Sequence, residues 1–125
     1  MVTLTERRPV PGPDVYGFLR LTRATRGRRH ILSAGLDEYC RAHELTMAAL
    51  FVEQAASDFY SPAFVGLLDT LAFPEAYGVV IPSLSHLGPS RTAARRARII
   101  RGLGARLLPV RFPASTFQDA DRCHS

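Results

Sequence analysis

The residues best equipped for chemistry in this 125-residue chain are its arginines, its serines and one histidine. Arg23, Arg26, Arg28 and Arg29 crowd a short stretch near the start, and Arg91, Arg95 and Arg98 recur at helical spacing later. Such clusters are either solvated surface or a patch that contacts phosphates. Ser85 stands beside His86, a hydroxyl next to a base. Adjacent residues rarely point at each other, so the pair is a poor nucleophile-base arrangement. Cys123-His124 is an isolated pair near the end, and no Cys-x-x-Cys or His-x-x-x-His occurs, so no metal is expected. Gly102-Leu103-Gly104 would follow a helix instead of opening one, and no strand leads into a phosphate-binding glycine loop. No Gly-x-Ser-x-Gly elbow is present either, and no cofactor is expected.

The elements that must position these groups follow from periodicity. Asp14 to Thr22 is a short, mostly apolar run that reads as a buried strand ending at Arg20 and Thr22. From about His30 to His43, Leu32, Leu36, Tyr39 and Cys40 share one helical face. Thr46 to Glu53 is a second strand. Ser61-Pro62 is an N-cap followed by proline at the first helical position, and Phe64, Leu67, Leu68 and Leu71 form the stripe of the helix that Pro74 stops. Tyr77 to Ile81 is a third strand, closed by Pro82. Ser90 starts a helix reaching Gly102 or Gly104, with Arg91, Arg95 and Arg98 on one face and Arg101 at its edge. Ile99, Ile100 and Leu103 turn away from that face, and Arg96, near the apolar side, must snorkel or find a partner. Ala105 to Val110 is the fourth strand.

This alternation predicts an α/β fold: a mostly parallel four-stranded sheet with helices on both faces, three layers in all. Residues 1–13 read as a loosely held arm, 14–110 as the domain and 111–125 as a tail. In such sheets a site lies beyond the carboxyl ends of the strands. Those ends carry Arg20 and Thr22, Glu53 and Gln54, Pro82 to Ser85, and the residues after Val110.

Composition limits the class of protein. Apolar content of 46% and charged content of 22% are globular values. The longest apolar runs are too short to span a bilayer, and the N-terminus lacks the apolar stretch of a secretory signal. Two cysteines, Cys40 and Cys123, read as reduced thiols, so a cytoplasmic protein is expected. The net charge is +5, and all sixteen basic residues are arginine, which points to a GC-rich bacterial genome. The excess charge permits DNA binding without demanding it.

Several segments together resemble the catalytic domain of serine recombinases, the resolvase and invertase family. Tyr16-Gly17-Phe18-Leu19-Arg20-Leu21-Thr22 is similar to the family's first strand, whose Gly-Tyr-x-Arg-x-Ser supplies a catalytic arginine and the serine that attacks the DNA phosphate. Arg20 matches the arginine, and Thr22 stands at the nucleophile. Phe51-Val52-Glu53-Gln54-Ala55-Ala56-Ser57 resembles Phe-x-Asp-x-Ala-Ser-Gly, and Ser61-Pro62-Ala63-Phe64 resembles Arg-Pro-Gly-Phe. The run from Val79 to Gly88 resembles a strand followed by Leu-Asp-Arg-Leu-Gly-Arg, and Gly104 to Val110 fits the fourth strand.

The departures fall on the chemistry. By the same resemblance, Ser61 replaces an arginine, Ser85-His86 replaces the Asp-Arg pair, Pro89 stands for the last arginine, and Ala56 for the loop serine. Phosphoryl transfer needs a nucleophile and several guanidinium groups acting together, so their loss should nearly abolish turnover. The 15 residues after Val110 leave no room for the family's long dimerisation helix or its helix-turn-helix, so a monomer is expected. Glu53 is expected to pair with a nearby arginine. Three functions stay open: an inactive recombinase-like domain that binds DNA or a protein partner, an intact recombinase included; an active, atypical recombinase using Thr22 and Arg20; and a protein-interaction module without DNA binding.

Overall fold

The computed structural model describes residues 12–110. Arm residues 1–11 and the tail, 111–125, lie outside them. Four strands form one sheet: β1 (Asp14–Leu21), β2 (Thr46–Gln54), β3 (Ala76–Ile81) and β4 (Arg106–Pro109). Three helices connect them: α1 (Arg29–Ala42), α2 (Pro62–Leu71) and α3 (Ser90–Gly102). The order across the sheet is β2-β1-β3-β4 and every pairing is parallel. Every strand therefore ends at the same side of the sheet, as the sequence pattern requires. Among the described residues no helix is long and apolar enough to cross a membrane.

Side-chain alternation along β1 divides the core into two halves. Val15 and Leu19 face α1 and meet Leu32, Leu36, Cys40 and Val80 there. Tyr16 and Phe18 face the other way and meet Phe64, Leu67, Val79, Ile81, Leu87 and Ile100 beneath α2 and α3. That gives helices on both faces. The central strands β1 and β3 are mostly buried, whereas the edge strand β2 is mostly half-buried and β4 is exposed at both ends. Gly17 is needed in the middle of β1, because a Cβ there would come within 2.7 Å of Leu50 and 3.3 Å of Leu36. Burial raises the pKa of the Cys40 thiol, helped by the negative charge of Asp37, so this cysteine is inert at neutral pH.

Each helix obeys its sequence signals. Ser61 caps α2 by accepting a hydrogen bond from the Phe64 N–H at 3.1 Å, with Pro62 at the first position. Two short 3-10 turns, Arg26–Arg28 and Leu84–Leu87, are additions that periodicity does not reveal. One apolar assignment is corrected. Leu103 does not join Ile100 in the core but lies 46% exposed, because α3 ends at Gly102 and the chain turns through Gly104 at φ 87°. Pro13, at the end of the N-terminal arm, already accepts the Thr46 N–H at 2.9 Å.

The packing of Leu36 against Val15 and Leu19 predicts a large cost for Leu36→Ala, about 2–5 kcal/mol by urea unfolding with an unchanged m-value. Leu103→Ala should change stability by less than about 0.5 kcal/mol.

Candidate functional site

The register of the sheet builds the site. Arg20 on β1 lies directly opposite Glu53 on β2. Residues 16, 18 and 20 share one face of β1, so Arg20 and Glu53 project toward the layer of α2 and α3. Ser61 enters from the start of α2, and Arg96 reaches down from α3. Arg20, Glu53, Ala55, Ser57, Phe59, Gly88, Pro89, Thr92 and Arg96 line a cleft of about 170 Å³.

Glu53 is the hub of this cleft. Its carboxylate is 3% exposed and takes a bidentate contact from Arg96, with Nη1 to Oε2 at 2.9 Å and Nη2 to Oε1 at 2.8 Å. Ser61 Oγ donates to Oε1 at 2.6 Å, and Arg20 Nε lies 3.7 Å from Oε2. The pairing expected for Glu53 is therefore present. Arg96, only 1% exposed, also donates to the carbonyls of Leu87 and Asp58, each at 3.2 Å, and to that of Phe59. Its guanidinium carbon lies 4.4 Å from the centre of the Phe64 ring and 5.1 Å from that of Phe59. Arg96 Nε has no hydrogen-bond partner among the described residues.

Arg20 is held twice more. Its Nη2 donates to the Ala55 carbonyl at 3.0 Å. Its backbone N–H lies beyond the last residue of β1 that pairs with β3, Gly17, and it donates to His86 Nδ1 at 3.0 Å. The neutral ring then carries its proton on Nε2. Burial and, to a smaller extent, the Arg20 charge lower the His86 pKa to about 4, so the imidazole is neutral at pH 7. Ser85 is exposed and its hydroxyl pairs with Ser83 at 2.7 Å, so Ser85 and His86 do not act on each other.

Thr22, one residue past β1, closes a tight turn. Its N–H donates to Thr25 Oγ1 at 2.8 Å, its hydroxyl lies 3.1 Å from the same atom, and the Thr25 N–H donates to Thr22 Oγ1 at 3.2 Å. Both threonine hydroxyls are thus committed to each other and to backbone. The spacing Thr-x-x-Thr was the available signal for this turn. Arg23, Arg26 and Arg29 are exposed and Arg28 is half-buried, with Arg26 Nη2 3.4 Å from Gln54 Oε1. Arg91, Arg95 and Arg98 are all exposed, and Arg95 lies over the Phe59 ring at 4.5 Å. No group of histidine, cysteine and carboxylate side chains among the described residues could hold a metal.

No family model matches the chain, and no curated protein is similar to it. Solved structures are. The N-terminal catalytic domain of TP901-1 integrase superposes with a TM-score of 0.66 at 13% identity, over 77% of this chain and 75% of the other. The C-terminal catalytic domain of ISC1926 TnpA, an IS607-like serine recombinase, gives 0.65 at 10% identity, over 85% and 75%. The fold is that of a serine recombinase catalytic domain. This recombinase fold agrees with the resemblance carried by the first strand, the Glu53 loop and the run after β3. Within it, Arg20 keeps a position at the carboxyl end of the sheet while the hydroxyl of Thr22 is engaged by its own turn.

Two outcomes test the network. Arg96→Met strips Glu53 of its main partner while the carboxylate stays buried, and should cost about 3–5 kcal/mol in urea unfolding. Arg95→Met, on the exposed face, should cost less than about 1 kcal/mol. For His86 the folded pKa is depressed below that of the unfolded chain, so the unfolded state binds the proton more readily. Its contribution is fully present above pH 6.5 and disappears as pH falls toward 4, at most about 3 kcal/mol. The difference in unfolding free energy between wild type and His86→Gln should therefore shrink over that interval and be constant above pH 7.

Proposed function

We propose that this chain is a recombinase-fold domain without strand-transfer activity that binds DNA phosphates weakly and without sequence preference. The observation that carries the non-catalytic part is the convergence of both buried-side guanidinium groups on Glu53, with the Thr22 hydroxyl engaged by Thr25. Phosphoryl transfer needs guanidinium groups directed at the reacting phosphate and a nucleophile with a base to take its proton. Here Arg20 and Arg96 are neutralised in part by the carboxylate between them, and His86 presents Nδ1 to a backbone N–H.

The DNA-binding part rests on charge. Arg23, Arg26 and Arg29 follow β1, and Arg91 and Arg95 lie on the first turns of α3, so both groups belong to the carboxyl-terminal side of the sheet. All five are exposed and +5 is the net charge of the chain. Arginines so placed contact phosphates without reading bases, which makes binding salt-dependent and unspecific. Such a role accords with a cytoplasmic protein from a GC-rich bacterium.

Fluorescence anisotropy of a labelled duplex, titrated at low and at physiological salt, tests this reading. Binding should weaken steeply with salt, and replacing Arg91 and Arg95 together by glutamine should flatten the log-log slope by about 2. Thr22→Ala should leave binding unchanged, and neither protein should nick supercoiled plasmid. Nicking abolished by Thr22→Ala would establish an active recombinase instead. Absence of binding at low salt would leave a protein-interaction module.

A further inference from the structure

Among the described residues two large aromatic side chains are exposed, Tyr60 and Phe73, each at 59%. They flank α2 at opposite ends. Tyr60 precedes the helix in the connection after β2, on the carboxyl-terminal side of the sheet. Phe73 follows the helix just before β3, on the amino-terminal side. Only Tyr60 stands among the arginines. Its ring meets Phe59 edge to face, with centroids 4.8 Å apart at 76°, and lies 6.1 Å from the ring of the fully buried Phe64. The Arg95 guanidinium carbon sits over the same Phe59 ring, 4.5 Å from its centroid. Tyr60 and Arg95 are thus one aromatic ring apart, and Arg91 lies one helical turn before Arg95. Buried Arg96 holds the Phe59 and Asp58 carbonyls, so the exposed ring is carried on backbone tied to the core.

We infer that Tyr60 is a stacking platform for an unpaired base, and that this side of the sheet takes single-stranded DNA. The inference rests on the DNA-binding reading above and names the form of DNA. An unpaired nucleotide offers a bare π face and, one sugar away, a phosphate. An exposed ring beside guanidinium groups matches both. In a duplex the faces of each base are covered by its neighbours, and uncovering one costs unstacking and unpairing energy. Asp58, also exposed, is the single carboxylate in the connection 55–61, and the exposed Arg91 and Arg95 outnumber it. The positive charge needed beside the ring is therefore kept.

Anisotropy titrations at low salt with a labelled oligothymidylate and with a mixed-sequence duplex of equal length test the platform. Tyr60→Ala should weaken binding to the single strand about ten-fold and to the duplex by less than about two-fold. Retained duplex binding shows that the variant is folded. Tyr60→Phe should keep wild-type affinity, and Phe73→Ala should change neither titration. The chain has four tyrosines and no tryptophan. A base stacked on Tyr60 should therefore quench part of the tyrosine emission, and Tyr60→Phe should remove that quenching while binding persists. No loss with Tyr60→Ala, or an equal loss on strand and duplex, would overturn the stacking role and leave phosphate binding standing. Absence of binding to either DNA would overturn both.

Discussion

Glu53 and Arg96 form an ion pair from which water is excluded on nearly every side, and the arrangement at the carboxyl end of the sheet depends on it. Burying two charges is unfavourable unless their remaining hydrogen-bonding capacity is filled. Here it is filled by four groups from three segments: the Ser61 hydroxyl at the start of α2, the Leu87 carbonyl after β3, and the Asp58 and Phe59 carbonyls after β2. Arg96 therefore ties the connections after two strands to the third helix. Its position also explains the aromatic cluster around it, since the flat faces of Phe59 and Phe64 tolerate a guanidinium that has few polar neighbours left.

The same pair accounts for the character of the site. A carboxylate at Glu53 draws Arg20 as well as Arg96, so the positive charge at the carboxyl end of the sheet is partly neutralised. His86 adds no charge at neutral pH, because burial keeps it unprotonated, and it completes the hydrogen bonding of β1 where β3 no longer accompanies that strand. The charge that remains accessible is on the outer surface, in arginines that no buried carboxylate neutralises. The exposed charge is thus spatially separate from the buried cluster.

Much of this was legible in the sequence, and the reasons are physical. Strands and helices begin and end within a residue or two of the expected positions, because apolar runs, the Ser61-Pro62 cap and Pro82 act locally. That Arg96 must snorkel or find a partner follows from a charge placed near apolar neighbours, and pairing with a nearby arginine is the role expected of Glu53. Their pairing with each other did not follow, since it joins residues 43 apart through the register of β1 with β2 and the placement of α3. The engagement of Thr22 by Thr25 and of His86 by a backbone N–H escaped for the related reason that hydroxyl and imidazole orientation depends on local turns. Leu103 was misplaced because helical periodicity was carried one residue beyond the end of α3.

The two edges of the sheet have unequal consequences for the life of the chain at high concentration. β4 has only four residues, begins with an arginine and ends with Pro109, which has no N–H to offer another strand. That edge limits its own extension. β2 is nine residues long, and its run Met47 to Val52 is uncharged, apolar and free of proline. A partly unfolded molecule that exposes β2 thus presents a template for intermolecular pairing, and aggregation should begin from that edge and not from β4.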